Sequence, residues 1–532
     1  MQQCRQTNFE TLTLRTLLYL ALLSTAVSAL ADDDCAATPG VSQFYQSGWG
    51  VDLAGQRHQA NTRVTAASVR DLKPKWTYGF STDTPRVFPL VSEDTIFIGD
   101  EGVGLVALDR STGCTRWVND DVEDPATAIT HGEVDGRVVL VLAGRQAGVF
   151  AVDAATGATL WQRLVTDDNP VAMYSGSPLI YEDQVFVPLS SMEIGLSVNP
   201  FYGCCTTSGG MAALDLKTGK TNWYLRTIPE QPQVTGSHYI FVQEHGPSGA
   251  PVWGAPSLDE RRRLLYFGTG QNYSHPTTKT SDAIFAVDID TGKTRWVAQF
   301  TENDAFNMAC TVGGVNCPDP IGPDVDFGAP PILVQLSDGR DLVLAGQKSG
   351  DVWAIDPDTG TTVWHHKIGR GGALGGVHWG MAYDPQQQRL LVPISDVKAM
   401  PGEGEAEPGM FALDAASGAR SWSAPRVMRC EGRQCWSGLS SGITTGPGIV
   451  VTGGLDGMVE IYAADNGDLL WSDDTLQEYQ TVNGVPAKGG AIDAHGPTLA
   501  DNLLIVVSGY GGFGQRPGNA LLVYEVPQEV LP

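Results

Sequence analysis

The stretch AVDIDTGKTRW, residues 286–296, decides the fold because the chain keeps repeating it. Alternating apolar residues lead into it as a strand. Asp288, Thr291 and Gly292 then spell a tight turn, in which the aspartate caps its own backbone and the glycine accepts a positive φ. A second strand follows and carries Trp296. Near-copies end at Trp117 (ALDRSTGCTRW), Trp161 (AVDAATGATLW), Trp223 (ALDLKTGKTNW), Trp364 (AIDPDTGTTVW) and Trp422 (ALDAASGARSW), with a weaker one, IYAADNGDLLW, at Trp471. Trp76, in LKPKWTYGF, lacks the turn but stands where a copy's tryptophan belongs. Upstream runs such as VVLVLAG and DLVLAGQ read as fully buried strands.

These tryptophans are 41 to 73 residues apart, with the excess in loops. Each copy is a small antiparallel sheet, and Trp76 makes eight. A solenoid would show tighter spacing, whereas sheets of this size close into a β-propeller. The expected fold is therefore all-β, an eight-bladed propeller with tryptophan-docking motifs, forming one domain over residues 32–532. Composition agrees: 63 Gly and 13 Trp in 532 residues suit tight turns between short strands better than long helices.

The N-terminus reads as a targeting segment. Arg5 and Arg15 precede the apolar run LLYLALLSTAVSALA, and Ala29-Leu30-Ala31 has the small-x-small form of a cleavage site. The run is short for a membrane span. Residues 1–31 are thus predicted as a signal peptide, the mature chain as periplasmic, with no stable membrane insertion after cleavage. A net charge of −26 argues against a nucleic-acid partner and fits either solubility or attraction of a basic protein. Of nine cysteines, Cys4 leaves with the signal. The even remainder favours disulfides. Spacing pairs Cys204 with Cys205, Cys310 with Cys317 and Cys430 with Cys435, which leaves Cys35 for Cys114.

The A-x-D-x-x-T-G-x-x-x-W repeat resembles the tryptophan-docking motif of quinoprotein alcohol dehydrogenases, which bind pyrroloquinoline quinone (PQQ). The strings YGCC, GPSGAPVW, SDAIFAVD, NCPDPIGPDVDFG, GQKSG and TVNGV are similar to the polyvinyl-alcohol-dehydrogenase branch. That resemblance implies a set of site residues. Glu193 would bind Ca²⁺, with Gln271 or Asn272 adding an amide oxygen and Asp304 a second carboxylate; a hard cation takes such oxygen ligands. Trp253 would be the aromatic floor for the quinone and Lys348 the cation at its oxygens. His378 and Trp379 would line the pocket, and Gly489 and Gly490 would offer backbone contacts to the cofactor's carboxylates. Asn307 occupies the column of the family's catalytic aspartate, and an amide cannot take a proton, so the role of base passes to Asp304. The vicinal pair Cys204–Cys205 would lie over the quinone opposite Trp253; a plain structural staple is the alternative. CCTTSGG also lacks the arginine of the family's CCTFRG-like string.

The activity implied is PQQ- and Ca²⁺-dependent oxidation of an alcohol, secondary alcohols and polyvinyl alcohol among the candidates, to the carbonyl. No Cys-x-x-Cys-His haem motif occurs, so electrons would pass to a separate cytochrome c. Two other readings stay open. One is a non-enzymatic scaffold like the lipoprotein BamB, whose propeller carries a similar repeat. The other is a quinoprotein that has lost catalysis, suggested by Asn307 and Gln271.

Overall fold

In each copy of the repeat the turn closes as its residues dictate. Asp288 Oδ1 accepts from Thr291 N (2.9 Å) and Thr291 Oγ1 (2.7 Å). Gly292, at φ 68°, donates its N–H to Asp288 O at 2.9 Å. The preceding blade's tryptophan then lies on that glycine: a Cβ at Gly292 would sit 2.7 Å from the Trp223 ring. Trp223 Nε1 donates to Ile289 O in the same turn at 2.8 Å. The same pairing joins Trp76 to Gly113 and Arg110 O, Trp161 to Gly219 and Leu216 O, and Trp296 to Gly360 and Pro357 O. It continues with Trp364 on Gly418 and Ala415 O, and with Trp422 on Gly467 and Ala464 O. Trp117 packs on Gly157, but its buried Nε1 has no hydrogen-bond partner among the described residues.

The computed structural model describes residues 35 and 38–530, apart from 166–168, 240, 398–403, 428 and 430–434. The predicted signal segment 1–31 and Cys430 therefore lie outside the described residues. Among its described residues the unit Thr38–Pro532 holds seven four-stranded sheets and one five-stranded sheet, which are the eight blades, plus three short two-stranded pairs. Blade 4 is typical: Ser257–Asp259, Leu264–Gly268, Ala283–Asp288 and Thr294–Gln299, all antiparallel, with the innermost strand first. Buried side chains of adjacent blades interdigitate, as where Tyr266 and Ile284 of blade 4 meet Val343 and Ile355 of blade 5.

The last blade explains why Trp76 has no turn of its own. Thr498–Ala500, Leu503–Ser508 and Ala520–Glu525 supply three strands, and the N-terminal strand Lys73–Gly79 pairs antiparallel with Ala520–Glu525 as the fourth. The ring is thus closed by backbone hydrogen bonds between the two ends of the chain.

A strap before that strand fills the central channel. Leu53, Ala54, Gln56 and Arg57 accept in turn from Leu258, Leu333, Tyr383 and Thr445, residues on or beside the inner strands of blades 4 to 7. Arg57 is fully buried between Trp49 (4.3 Å) and Phe88 (4.8 Å). Its guanidinium donates to Ile443 O, Trp49 O, Thr444 Oγ1 and His495 O, so every edge of the charge is solvated by protein oxygens.

The antiparallel order sorts the loops into two sets. Turns between the third and fourth strands, with their Asp and Gly, emerge on one face. Connections from second to third strand, and from one blade to the next, emerge on the other. Every long insertion named below is of the second kind. Cys204–Cys205 and Cys310–Cys317 are formed disulfides, and Cys35, Cys114 and Cys435 are each disulfide-bonded. Among the described residues no helix is long and apolar enough to cross a membrane.

Replacing Gly292 with alanine should destabilise the protein by about 1–3 kcal/mol, because a Cβ is disfavoured at this φ and meets the Trp223 ring. Thermal or urea unfolding checks this; Gly339→Ala, at a positive φ but with nothing within 4 Å, separates the backbone cost from the ring contact.

Candidate active site

The segment between blades 4 and 5 and the two loops beside it converge on one indole. Trp253 stands just before the inner strand of blade 4 and is half-buried. Its Nε1 donates to Asp326 Oδ2 at 2.9 Å. Gly328 allows this seat, since a Cβ there would lie 1.8 Å from the ring. Lys348 Nζ is 5.9 Å from the ring centroid, within reach of a cation–π contact. His378 and Trp379 come from the next inter-blade loop and meet the same ring edge-on, at 5.7 and 5.2 Å. Trp253, Lys348, His378 and Trp379 are thus brought together in one cluster.

Lys348 brings a positive charge into a group of buried carboxylates. Its Nζ lies 2.8 Å from Asp324 Oδ1 and 3.5 Å from Asp326 Oδ2. Burial works against its charge, but the aspartates outweigh this and hold it above the ordinary lysine value. The same positive charge, after burial, helps push His378 down to about 3, so its ring is neutral while Nδ1 shares a 2.6 Å hydrogen bond with Ser440. Asp304 is buried, and its oxygens accept from the backbone N–H groups of Asp324 (3.1 Å) and Val325 (2.9 Å). Burial raises its carboxyl to about 6; Val325 N–H opposes this and Asp326 adds to it. Asp282 is also fully buried, and neither of its oxygens has a hydrogen-bond partner among the described residues.

Sequence reasoning does not single out Asp282, Asp324 or Asp326 as site residues, although all three lie in strings quoted above. The other ligands expected from the resemblance are placed differently. Glu193 opens the short helix Glu193–Leu196, and its carboxylate is crowded with donors. Tyr202 Oη (2.8 Å), Thr207 N (2.8 Å) and Thr207 Oγ1 (2.6 Å) each reach one oxygen, and Thr206 N reaches both at 2.9 Å. Asn272 Oδ1 accepts from Thr278 N at 2.9 Å and its amide donates to Ser248 O at 3.0 Å. The Gln271 side-chain amide lies between Phe306 O and the Asp326 carboxylate, and its backbone N–H donates to Asp326 Oδ1 at 3.3 Å. Among the described residues, no three His, Cys, Asp or Glu side chains form a group able to hold a metal ion by themselves.

Asn307 is likewise fully used. Its amide donates to Tyr273 O (2.9 Å) and Asn316 O (2.8 Å), and its oxygen accepts from Ala309 N, so it braces the loop closed by Cys310–Cys317. Cys204 and Cys205 pack against Tyr273, with Ile194 and Tyr202 beside them. The N–H groups of Gly489 and Gly490 donate to Gln477 O and Ser508 Oγ.

Away from the carboxylates the site changes sign. Tyr510 stands edge-on to Trp379 at 6.5 Å, and Arg86 lies 5.5 Å over its ring. Arg86 and Arg145 share Glu101, each at 3.6 Å. Arg86 Nε, Arg145 Nε and Trp379 Nε1 are buried without hydrogen-bond partners among the described residues. Trp379 thus brings an orphaned donor against the half-open indole, Arg86 and Arg145 add two more, and Asp282 supplies orphaned acceptors on the same face. That donor set fits a flat, multiply anionic ligand together with a cation.

A family model described as the PQQ glucose/ethanol/alcohol dehydrogenase β-propeller domain matches residues 47–315. The polyvinylalcohol dehydrogenase of a Pseudomonas species is 35% identical over 504 residues, spanning 90% of this chain and 76% of that protein. Its counterpart from Sphingopyxis sp. strain 113P3 is 31% identical, spanning 89% and 73%. The solved quinohemoprotein alcohol dehydrogenase of Pseudomonas putida HK5 superposes with a TM-score of 0.68 at 18% identity, over 91% of this chain and 80% of that one, and so shares the fold. Repeat, propeller and relatives agree, and the chain belongs to the PQQ-dependent quinoprotein alcohol dehydrogenases.

Proposed function

We propose that this protein is an exported, PQQ- and Ca²⁺-dependent dehydrogenase that oxidises secondary alcohols, polyvinyl alcohol among them, and passes electrons to a separate cytochrome c. The observation that carries this reading is the half-open Trp253, held by Asp326 and flanked by Lys348, His378 and Trp379. When bound, PQQ supplies the two-electron acceptor. The chain's own residues do the rest. Trp253 offers a face for a conjugated ring, and Gly328 and Asp326 fix its tilt. Lys348 keeps a permanent positive charge beside that face, where negative charge that develops during reaction is stabilised. Asp304 is held by two peptide N–H groups and presents a carboxylate that takes the hydroxyl proton. Asn307 has no such freedom, which favours Asp304 over it as the base.

Export rests on residues 1–31 with their cleavage-like end, followed by the domain 32–532. The −26 net charge suits a basic cytochrome as acceptor. Polyvinyl alcohol is favoured by the names of the two relatives and by the rim of the site. Phe201 (67% exposed) projects from the loop that carries the vicinal cysteines, and Tyr239 (50%) and Phe241 (75%) from the hairpin of strands Gln233–His238 and Val242–Gly246. Phe201 and Tyr239 are in ring contact at 5.8 Å, and the hairpin bonds to the cysteines through His245 N to Cys204 O and Cys205 N to His245 O. Such a rim suits the methylene backbone of a long polyalcohol. A scaffold without a cofactor gives no reason for Lys348 and three aspartates buried on the loop face, with a partly buried Asp324 beside them.

Reconstitution with PQQ and Ca²⁺ should yield cofactor absorbance and dye reduction with secondary alcohols. Asp304→Asn should keep the absorbance and lose about 10²–10⁴-fold in kcat. No absorbance would favour the scaffold, and absorbance without turnover the quinoprotein with lost catalysis. The pH profile follows from the sign of the Asp304 shift. The base works as the carboxylate, so kcat/KM should rise about tenfold per pH unit on the acid side and level off. A bound cation only pulls its carboxyl lower, which puts that limb at or below about pH 6. Finally, Phe241→Ser combined with Phe201→Ser should raise KM for polyvinyl alcohol several-fold and leave KM for a small secondary alcohol unchanged; equal effects on both would remove the rim from substrate binding.

A further inference from the structure

The repeat that builds the fold also exposes a residue that departs from it. In every blade one residue immediately precedes the third strand. In the other seven blades it is Val103, Ala147, Gly209, Gly350, Pro408, Gly457 or Asn519, none of them ionisable. In blade 4 it is Asp282. Its φ is 49°, in the left-handed region that Gly350 (86°) and Gly457 (78°) also occupy. An aspartate here is thus placed on a backbone where glycine costs less.

Its surroundings make the placement costlier still. The side chain is fully buried, and among the described residues neither carboxylate oxygen has a hydrogen-bond partner. Of the charges acting on it, Asp304 and Asp326 weigh most, ahead of Lys348. A buried carboxylate is ordinarily paired or hydrogen-bonded, because the desolvation cost is otherwise several kcal/mol or more. Lys348 is already engaged by Asp324 and Asp326, so it does not serve as the missing partner. Glu193 presents the opposite case. Its two oxygens are satisfied by a tyrosine hydroxyl, two threonine hydroxyls and two peptide N–H groups.

We infer that Asp282 is a cation-binding carboxylate of this site, acting beside Asp304, and that it does in this chain what the resemblance assigns to Glu193. The inference rests on the proposed cofactor site. The cage it implies is incomplete, with bound cofactor and water supplying the remaining oxygens, which accords with no three acidic or histidine side chains forming a cage alone among the described residues. The role left to Glu193 is structural, since it ties the Thr206–Thr207 peptide, just after the vicinal cysteines, to its own helix.

The test compares Asp282→Asn and Glu193→Gln in the full-length protein. Ca²⁺ binding is measured by calorimetry with PQQ present, and thermal melting without and with Ca²⁺. Asp282→Asn should weaken Ca²⁺ binding at least tenfold and lose the Ca²⁺-dependent rise in Tm. Without metal it should melt close to or above the wild-type temperature, since burial and the neighbouring Asp304 and Asp326 already hold the metal-free Asp282 carboxyl in its neutral form, which the amide mimics. Glu193→Gln should melt lower with or without Ca²⁺ and keep its Ca²⁺ affinity within about threefold. Wild-type Ca²⁺ affinity in Asp282→Asn, or its loss in Glu193→Gln alone, would overturn the assignment while leaving the enzyme reading intact. A wild-type protein that binds neither PQQ nor Ca²⁺ would overturn both. Should Asp282→Asn fail to fold, Asp282→Ser, which keeps a small polar side chain, takes its place in the same comparison.

Discussion

An indole lying on a glycine is the contact on which this molecule depends. At seven consecutive junctions a tryptophan of one blade covers the turn glycine of the next, and at six of them its Nε1 also bonds the same turn. A flat ring on a bare backbone sets the distance and angle between blades with little freedom, because neither partner has flexible side-chain torsions to absorb error. The glycine is required twice, for its positive φ and for the missing Cβ. This explains how inter-blade loops of very different length coexist in one closed ring. Blade spacing is determined on the turn face, so the opposite face is left to carry insertions without disturbing closure.

That freedom is spent unevenly. The loops of blades 4 and 5 hold four aspartates and a lysine, and the connections of blades 1, 2 and 8 hold Arg86, Arg145 and Tyr510. Beneath both sets runs the strap from residue 45 onward. It carries a buried arginine held by carbonyl and hydroxyl oxygens, and burial lowers this guanidinium to about 9. The Trp49 ring reaches Gly380, next to Trp379, where a Cβ would lie 2.4 Å away. The floor of the site is therefore coupled to the closure of the channel, since strap, inner strands and His378–Trp379 loop share a contact surface with no slack.

The fold is legible because its cause is local and repeated. Asp, Thr, Gly and Trp at constant offsets encode a turn and a docking ring, and eight blades follow from counting. Even the anomaly of Trp76 points correctly, although ring closure by Lys73–Gly79 depends on a pairing over the whole chain that no local pattern announces. The site is legible by halves. Trp253, Lys348, His378, Trp379 and Asp304 stand out through a resemblance in their loops. The hydrogen-bond partners of Glu193, Asn272, Asn307, Gly489 and Gly490 are not readable, because each bond depends on the path of a loop that composition does not determine. The strap escapes as well, since irregular backbone that turns through positive φ at Val51, Gly55 and Arg57 carries no hydrophobic period.

Asp282 shows a different kind of legibility. A repeat is an internal standard: eight copies define what each position needs for the fold alone. Where seven blades use an uncharged residue before the third strand, the architecture requires no charge there. An aspartate buried at that position, on a strained backbone and without a partner among the described residues, lowers stability and adds nothing to closure. Its justification must lie outside the polypeptide, in something that arrives later and binds oxygen. The same reasoning separates it from Glu193, whose five donors come from the chain itself and whose charge the fold already uses. In a propeller built from near-identical parts, the residues that serve the ring and those that serve a ligand are told apart by whether the protein supplies their partners.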